Sequence, residues 1–163
     1  MRYILRRREI VPDDWAHLGE QVTAGAALIV PLAELRAERA RWLAWPGALG
    51  VRLRPADAVE ELAADLPRLK LVAAEFPNAG DGRGYSQGRL LRTRLKFAGE
   101  LRAVGPGVRQ DQVFLLARCG FDTLELAPGE DLGVAQRALS RYSVAYQPGD
   151  PQVALEGQRF RAP

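Results

Sequence analysis

The chain has one cysteine, Cys119, and one histidine, His17, in 163 residues. A single thiol excludes a disulfide within the chain, and it excludes any cysteine-ligated iron–sulfur cluster or zinc site. A single histidine leaves a Ser–His or Cys–His catalytic pair dependent on the fold bringing His17 to the site. Lysine occurs only at Lys70 and Lys96, so arginine carries the basic side of the charge balance. No apolar run is long enough to span a bilayer, and the opening Met-Arg-Tyr-Ile-Leu-Arg-Arg-Arg lacks the apolar core of a signal peptide. These absences lead us to expect a cytoplasmic protein with no membrane partner.

What is present is ordinary for a soluble globular domain: 47% apolar and 26% charged residues, enough chain for one well-buried core. The net charge is only +3 but it is unevenly placed. From Asp81 to Arg118 eight basic residues face three acidic ones, a local +5 that leaves the remainder at −2. That excess is too modest to mark a nucleic-acid binder.

The hydropathy rhythm predicts an α/β fold of about five βα units with a mainly parallel sheet, either open and doubly wound or a partial (β/α) barrel. A partial barrel leaves exposed edges and calls for a partner, a homodimer among the choices. Strands are expected near 26–30, 48–53, 69–76, 100–104 and 121–126. Helices are expected after Pro31, after Pro55, over 86–97, over 109–119 with Gly120 as a left-handed stop, and over 132–142. Residues 1–25 read as an N-terminal arm or edge strand, 26–147 as a single βα domain, and 148–163 as an extended C-terminal tail.

The stretch from Phe76 to Arg92 carries the most chemistry. It leaves an apolar strand, passes Gly80, Gly82 and Gly84, and enters a helix rich in arginine. Glycines permit close backbone approach, helix starts leave N–H groups unpaired, and Arg83 adds a fixed cation, a combination suited to an anion. Gly82, Arg83, Gly84 and Ser86 are therefore the candidate anion-binding residues, with Gln112 on the following loop. Asp81 and Asp111 are the candidate general bases, and Glu75 is a second carboxylate for Asp81. Arg102, inside a strand, needs a buried partner, for which Glu75, Asp81 and Asp111 are the candidates; a structural ion pair is favoured over a ligand contact. Arg89, Arg92 and Lys96 recur at helical spacing as a basic stripe, either a solvated face or a docking surface for an acidic protein. The run Gly82-x-Gly84-x-x-x-Gly88 has only a superficial likeness to a dinucleotide loop, because the next strand ends Val104-Gly105-Pro106 with no acid for a ribose. Cys119 beside Gly120 reads as core filler. No cofactor is assigned and no metal site is expected.

Several of these runs occur together in one bacterial family. The segments are Glu75-Phe76-Pro77, Asp81-Gly82-Arg83-Gly84-Tyr85-Ser86, Arg89-Leu90-Leu91-Arg92, Gly99-Glu100-Leu101-Arg102-Ala103-Val104-Gly105, Asp111-Gln112 and Arg118-Cys119-Gly120-Phe121-Asp122. In that order and spacing, over about 49–147, the chain closely resembles the domain of unknown function 934. Members are generally encoded beside sulfite reductase and other sulfate-assimilation genes and are often labelled probable oxidoreductases of sulfite reduction. The resemblance implies an accessory role in that step, with the reductase or its electron donor as partner and a small anion as ligand. A stand-alone enzyme acting on a small anionic sulfur or phosphate compound is the alternative. The residues it carries over are Asp81, Arg83, Ser86, Arg102, Asp111 and Gln112. One departure stands out: members usually read Gly-Asp-Val-Leu-x-Asp-Gln, whereas here Gly105-Pro106-Gly107-Val108-Arg109-Gln110-Asp111-Gln112 replaces the acid by proline and adds a residue.

Overall fold

The computed structural model describes residues 2–141. The first strands are β1 (Tyr3–Arg6), β2 (Glu9–Pro12), β3 (Trp15–His17) and β4 (Ala27–Pro31). Helices α1 (Leu32–Ala37) and α2 (Arg39–Leu43) lead to β5 (Leu49–Leu53), and two short 3₁₀ turns lead to β6 (Leu71–Glu75). Then come α3 (Arg83–Thr93), β7 (Glu100–Val104), α4 (Val113–Arg118), β8 (Thr123–Leu124) and α5 (Leu132–Arg141). The proposed extended tail lies outside the described residues.

The eight strands of the described residues form one sheet in the order β2-β1-β8-β7-β6-β5-β4-β3. Strands β3 to β8 are parallel and in sequence order, whereas β1 runs antiparallel to both β8 and β2. A doubly wound sheet needs a point where strand order reverses, and the parallel strands of the described residues have none. With right-handed crossovers, unreversed order puts every connecting helix on the same face. The sheet therefore curls into a half-barrel with helices outside. Its two edge strands are consecutive in the chain: Pro12 ends β2 and Trp15 begins β3. Three Cα–Cα steps span at most about 11 Å, so the edges must approach one another.

Alternation along each strand divides the side chains between the two faces. The convex face carries Leu28, Val30, Val51, Leu53, Val72, Ala74, Leu101, Ala103 and Leu124 into the main core. Against them pack Leu35 and Trp42 from α1 and α2, Leu91 from α3, Val113 and Leu116 from α4, and Ala135 and Leu139 from α5. The concave face holds a smaller apolar group of Ile29, Leu71, Ala73 and Val104, with Trp15 laid across it. Gly50 makes room for that indole, because a Cβ there would sit 3.1 Å from the Trp15 ring.

Residues 1–25, read as an arm or edge strand, hold the hairpin β1–β2, turned at Arg7-Arg8 with Arg7 at φ 55°, and then β3, and β2 and β3 are the two edges of the sheet. Two expectations are corrected. The helix after Pro55 is instead the pair of 3₁₀ turns, Val59–Leu62 and Leu66–Arg68. Val59 and Leu62 are still buried, but Pro67 lacks the N–H a longer helix requires and disfavours helix in the residue before it. Helix α3 begins at Arg83 and stops at Thr93, short of Phe97. Gly120 does take the left-handed conformation, at φ 102°.

Candidate functional site

The loops following β6 and β7 meet at the C-terminal rim of the sheet, where (β/α) folds place their chemistry. Phe76 N–H donates to the Val104 carbonyl and Gly107 N–H to the Phe76 carbonyl, each at 2.8 Å. Gly107 has to be glycine, since a Cβ there would lie 2.4 Å from the Asn78 carbonyl oxygen. The Gln112 amide donates to the Ala79 carbonyl at 3.1 Å, tying the second loop to the first.

Within the glycine-rich loop Asp81 and Arg83 are already paired. The Asp81 carboxylate accepts the Arg83 amide N–H at 3.2 Å, Nε at 3.0 Å and Nη2 at 2.7 Å. The side-chain hydrogen bond from Arg83 is the main cause holding the Asp81 carboxyl below its ordinary value, and a carboxylate so held is a weaker base. Gly82 and Ser86 are exposed, whereas Gly84 is buried. The glycines of α3 have a packing reason: a Cβ at Gly84 would fall 2.5 Å from the Phe76 ring, and one at Gly88 would fall 2.6 Å from the Phe121 ring. Asp111 points outward with 73% of its side chain exposed, 3.9 Å from Arg109 Nε. Among the described residues no hydrogen bond or shared ion pair joins it to Asp81. Glu75 lies 3.7 Å from Arg52 Nε, on the concave face.

The basic stripe is divided by the fold. Arg89 and Lys96 are exposed, and Lys96 sits beyond the helix at φ 54°. Arg92 is buried, a correction to its place in a docking stripe. Its guanidinium donates to the carbonyls of Gly120 at 3.1 Å, Phe97 at 2.6 Å and Gly99 at 2.8 Å, and it pairs with Asp122. Helix α3 turns this face inward because Gly120 and Gly88 let α3 lie directly on the α4–β8 corner; a Cβ at Gly120 would meet Arg92 Cγ at 2.6 Å.

Arg102 is fully buried and has a different set of partners from those expected. Nη1 lies 2.9 and 3.0 Å from the two Asp13 oxygens, and Nε and Nη2 lie 3.1 and 2.9 Å from Glu100 Oε1. Glu125 is 3.8 Å away. Around this centre Arg2 reaches Asp13 at 2.8 Å, Glu20 at 3.0 Å and the Trp15 carbonyl at 2.8 Å. His17 Nε2 lies 3.0 Å from Glu125 Oε2. Burial pushes the carboxyls of Asp13 and Glu125 up, but Arg102, Arg2 and, for Glu125, the His17 hydrogen bond together outweigh it and hold both below their ordinary values.

On the concave side this network ties β7 to the β2–β3 link through Asp13, and ties β3 through His17 to Glu125, the residue after β8, with Arg2, the residue before β1, bridging Asp13 and Glu20. Three of its neighbouring polar atoms, Arg6 Nε, His17 Nδ1 and Thr123 Oγ1, are buried without a hydrogen-bond partner in the described residues. Arg2, Asp13, His17, Glu20 and Glu125 were invisible as a group in the sequence, since they come from its two ends and share no spacing. Among the described residues no group of three or more His, Cys, Asp or Glu is arranged to hold a metal ion.

A search of curated proteins finds no match. The family model described as bacterial protein of unknown function, DUF934, matches residues 50–154. The match takes in the rim loops, Arg102, Glu100 and Glu125, and it leaves Arg2, Asp13 and His17 outside. Covering more than half of the chain, it shows that the chain belongs to the DUF934 family.

Proposed function

We propose that this protein is an accessory factor of assimilatory sulfite reduction, acting by docking to the reductase or its electron donor. The observation that carries the reading is the exposed side of α3. Arg89 and the nearby Lys96 are exposed, and neither has an acidic partner among the described residues. Unpaired exposed cations are available to steer and hold an acidic protein. The sulfite step comes from the gene neighbourhood that the family resemblance implies. An anion at Gly82–Ser86 remains part of the reading, held by loop amides and by whatever share of Arg83 its pairing with Asp81 leaves free.

The test is genetic. A strain deleted for this chain is expected to grow on sulfide or cysteine but poorly on sulfate or sulfite, with the wild-type chain restoring growth. Equal growth on all four sulfur sources overturns the proposal. Arg83→Ala checks the anion part separately: full restoration by that variant removes the loop from the mechanism and leaves docking.

A further inference from the structure

Arginine is common over the whole surface, but its company differs between regions. On the side formed by α1, α2 and the first 3₁₀ turn, Arg36 pairs with Glu61, Arg39 with Asp65, and Arg41 with Glu38. At the far end of α3 Arg94 pairs with Glu60 at 2.9 Å. Helices α3 and α4, by contrast, contain no aspartate or glutamate at all. Arg83 is neutralised from the preceding loop and Arg92 from Asp122, which leaves Arg89.

The end of α4 comes up against the middle of α3. The Gly88 position abuts the Cys119 carbonyl, where an added Cβ would lie at 3.3 Å. Burial pushes the Cys119 thiol up, and Arg89 from α3 and Arg118 from α4 both pull against it, so a cation of each helix is within electrostatic reach of the thiol. On the same side of α4, Leu115 is 47% exposed, one of the few large apolar residues left in solvent. One turn on, the Arg118 guanidinium lies 5.9 Å from the Phe114 ring centroid. An exposed leucine, an aromatic and arginines on adjoining helices form the kind of surface that interfaces favour at their centres.

We infer that the face shared by α3 and α4, centred on Arg89 and Leu115, docks a protein that presents carboxylates around an apolar contact. The inference rests on the accessory role proposed above and gives it a surface: Arg89 with α4, in place of a stripe running through the buried Arg92. Charge complementarity selects the partner, because Arg89 is exposed with no acidic partner among the described residues and neither helix carries a carboxylate of its own, so an acidic protein matches this face better than a basic one.

The experiment titrates the purified full chain into purified sulfite reductase. Arg89→Glu and Leu115→Asp, both on exposed side chains, are compared with wild type and with Arg8→Glu, an exposed cation on the β1–β2 turn. The alkylation rate of Cys119, the chain's only thiol, is measured with and without reductase. Affinity at least tenfold weaker for Arg89→Glu and Leu115→Asp, unchanged for Arg8→Glu, with Cys119 shielded in the wild-type complex, supports the face. Binding by every variant alike with Cys119 unshielded overturns it while the accessory role stands. No binding by wild type overturns this face for the reductase; joined to normal growth of the deletion strain on sulfate, it overturns the accessory role as well.

Discussion

The two faces of the curled sheet solve the same problem with opposite chemistry. On the convex face, strands and helices meet through leucine, valine and phenylalanine, in one continuous core. On the concave face a small apolar group gives way to Arg2, Asp13, Arg102, Glu100, His17 and Glu125, paired with one another around a fully buried guanidinium. The difference follows from topology. Among the described residues helices cover only one side of a sheet whose strand order never reverses, so the other side lacks a helical layer to bury apolar groups against. Side chains from the N-terminal strands and their links, Trp15, Asp13 and Arg2, fill the hollow instead, and charge pairing fixes where they lie.

The sharpest way to break this comparison is Arg102→Ala. Removing one partner from a buried ion-pair cluster strands the carboxylates of Asp13 and Glu100, and such losses run to about 3–5 kcal/mol. Urea unfolding is expected to show a reduction of that order. Arg102→Met combined with Asp13→Leu removes the central pair instead of orphaning it. Its cost is expected to fall short of the sum of the two single substitutions, a coupling of about 0.5–3 kcal/mol. Additive losses would mean that Asp13 and Arg102 do not act as a pair.

Gly84→Ala tests the other face. The new Cβ would sit 2.5 Å from the ring of Phe76, a residue itself 1% exposed and edge-on to Tyr85 and Phe121. Forcing an extra methyl into a packed core typically costs about 1–3 kcal/mol, and thermal unfolding should register it. Unchanged stability would show that the ring shifts freely and that Gly84 serves the loop, as the glycine-rich pattern first suggested.

These two sites also mark where the sequence could be read and where it could not. The convex face was legible: hydrophobic runs located β4 to β7, and helical spacing located α3 and α5 within a few residues. Gly88, which the sequence showed as part of a superficial dinucleotide-loop likeness, has a packing reason in its contact with Phe121. The concave face was not legible. Arg102 announced that it needed a partner, but Asp13 lies 89 residues away on a segment whose strand, β3, is three residues long. No local periodicity records which charges meet across a curled sheet. For the same reason Arg92 looked like its helical neighbour Arg89, since spacing alone does not say which side of a short helix another corner of the fold will cover.

Acid should separate the faces further. The carboxyls of Asp13 and Glu125 titrate below their ordinary values of 3.8 and 4.5 in the folded protein. In that range the unfolded chain binds more protons than the folded one, so stability from these groups is complete above about pH 5 and drains away as pH falls through the lowered folded values. The slope reaches about 1.4 kcal/mol per pH unit for each proton taken up. Stability measured from pH 6 to pH 2.5 is expected to fall along this limb in the wild type, and less steeply in Arg102→Met, which loses a guanidinium that lowers both carboxyls. Parallel profiles would show that the acid limb belongs to other carboxylates.

The smallest effect is expected where the same chemistry meets water. Arg36 and Glu61 form an ion pair like that of Arg102 with Asp13, but the two side chains are 45% and 47% exposed instead of buried. Solvent screens their attraction, and holding two long side chains in one geometry costs rotamer entropy, so exposed pairs contribute about 0–1 kcal/mol. Arg36→Ala should therefore change the unfolding midpoint little, and raising the salt should erase what difference there is, because exposed charges are screened over a few ångströms in strong salt. The Arg102→Ala loss should survive the same salt, since the buried groups are out of reach of mobile ions. If salt abolished both differences alike, the concave network would be as open to solvent as the outer surface, and the contrast between the two faces would fail.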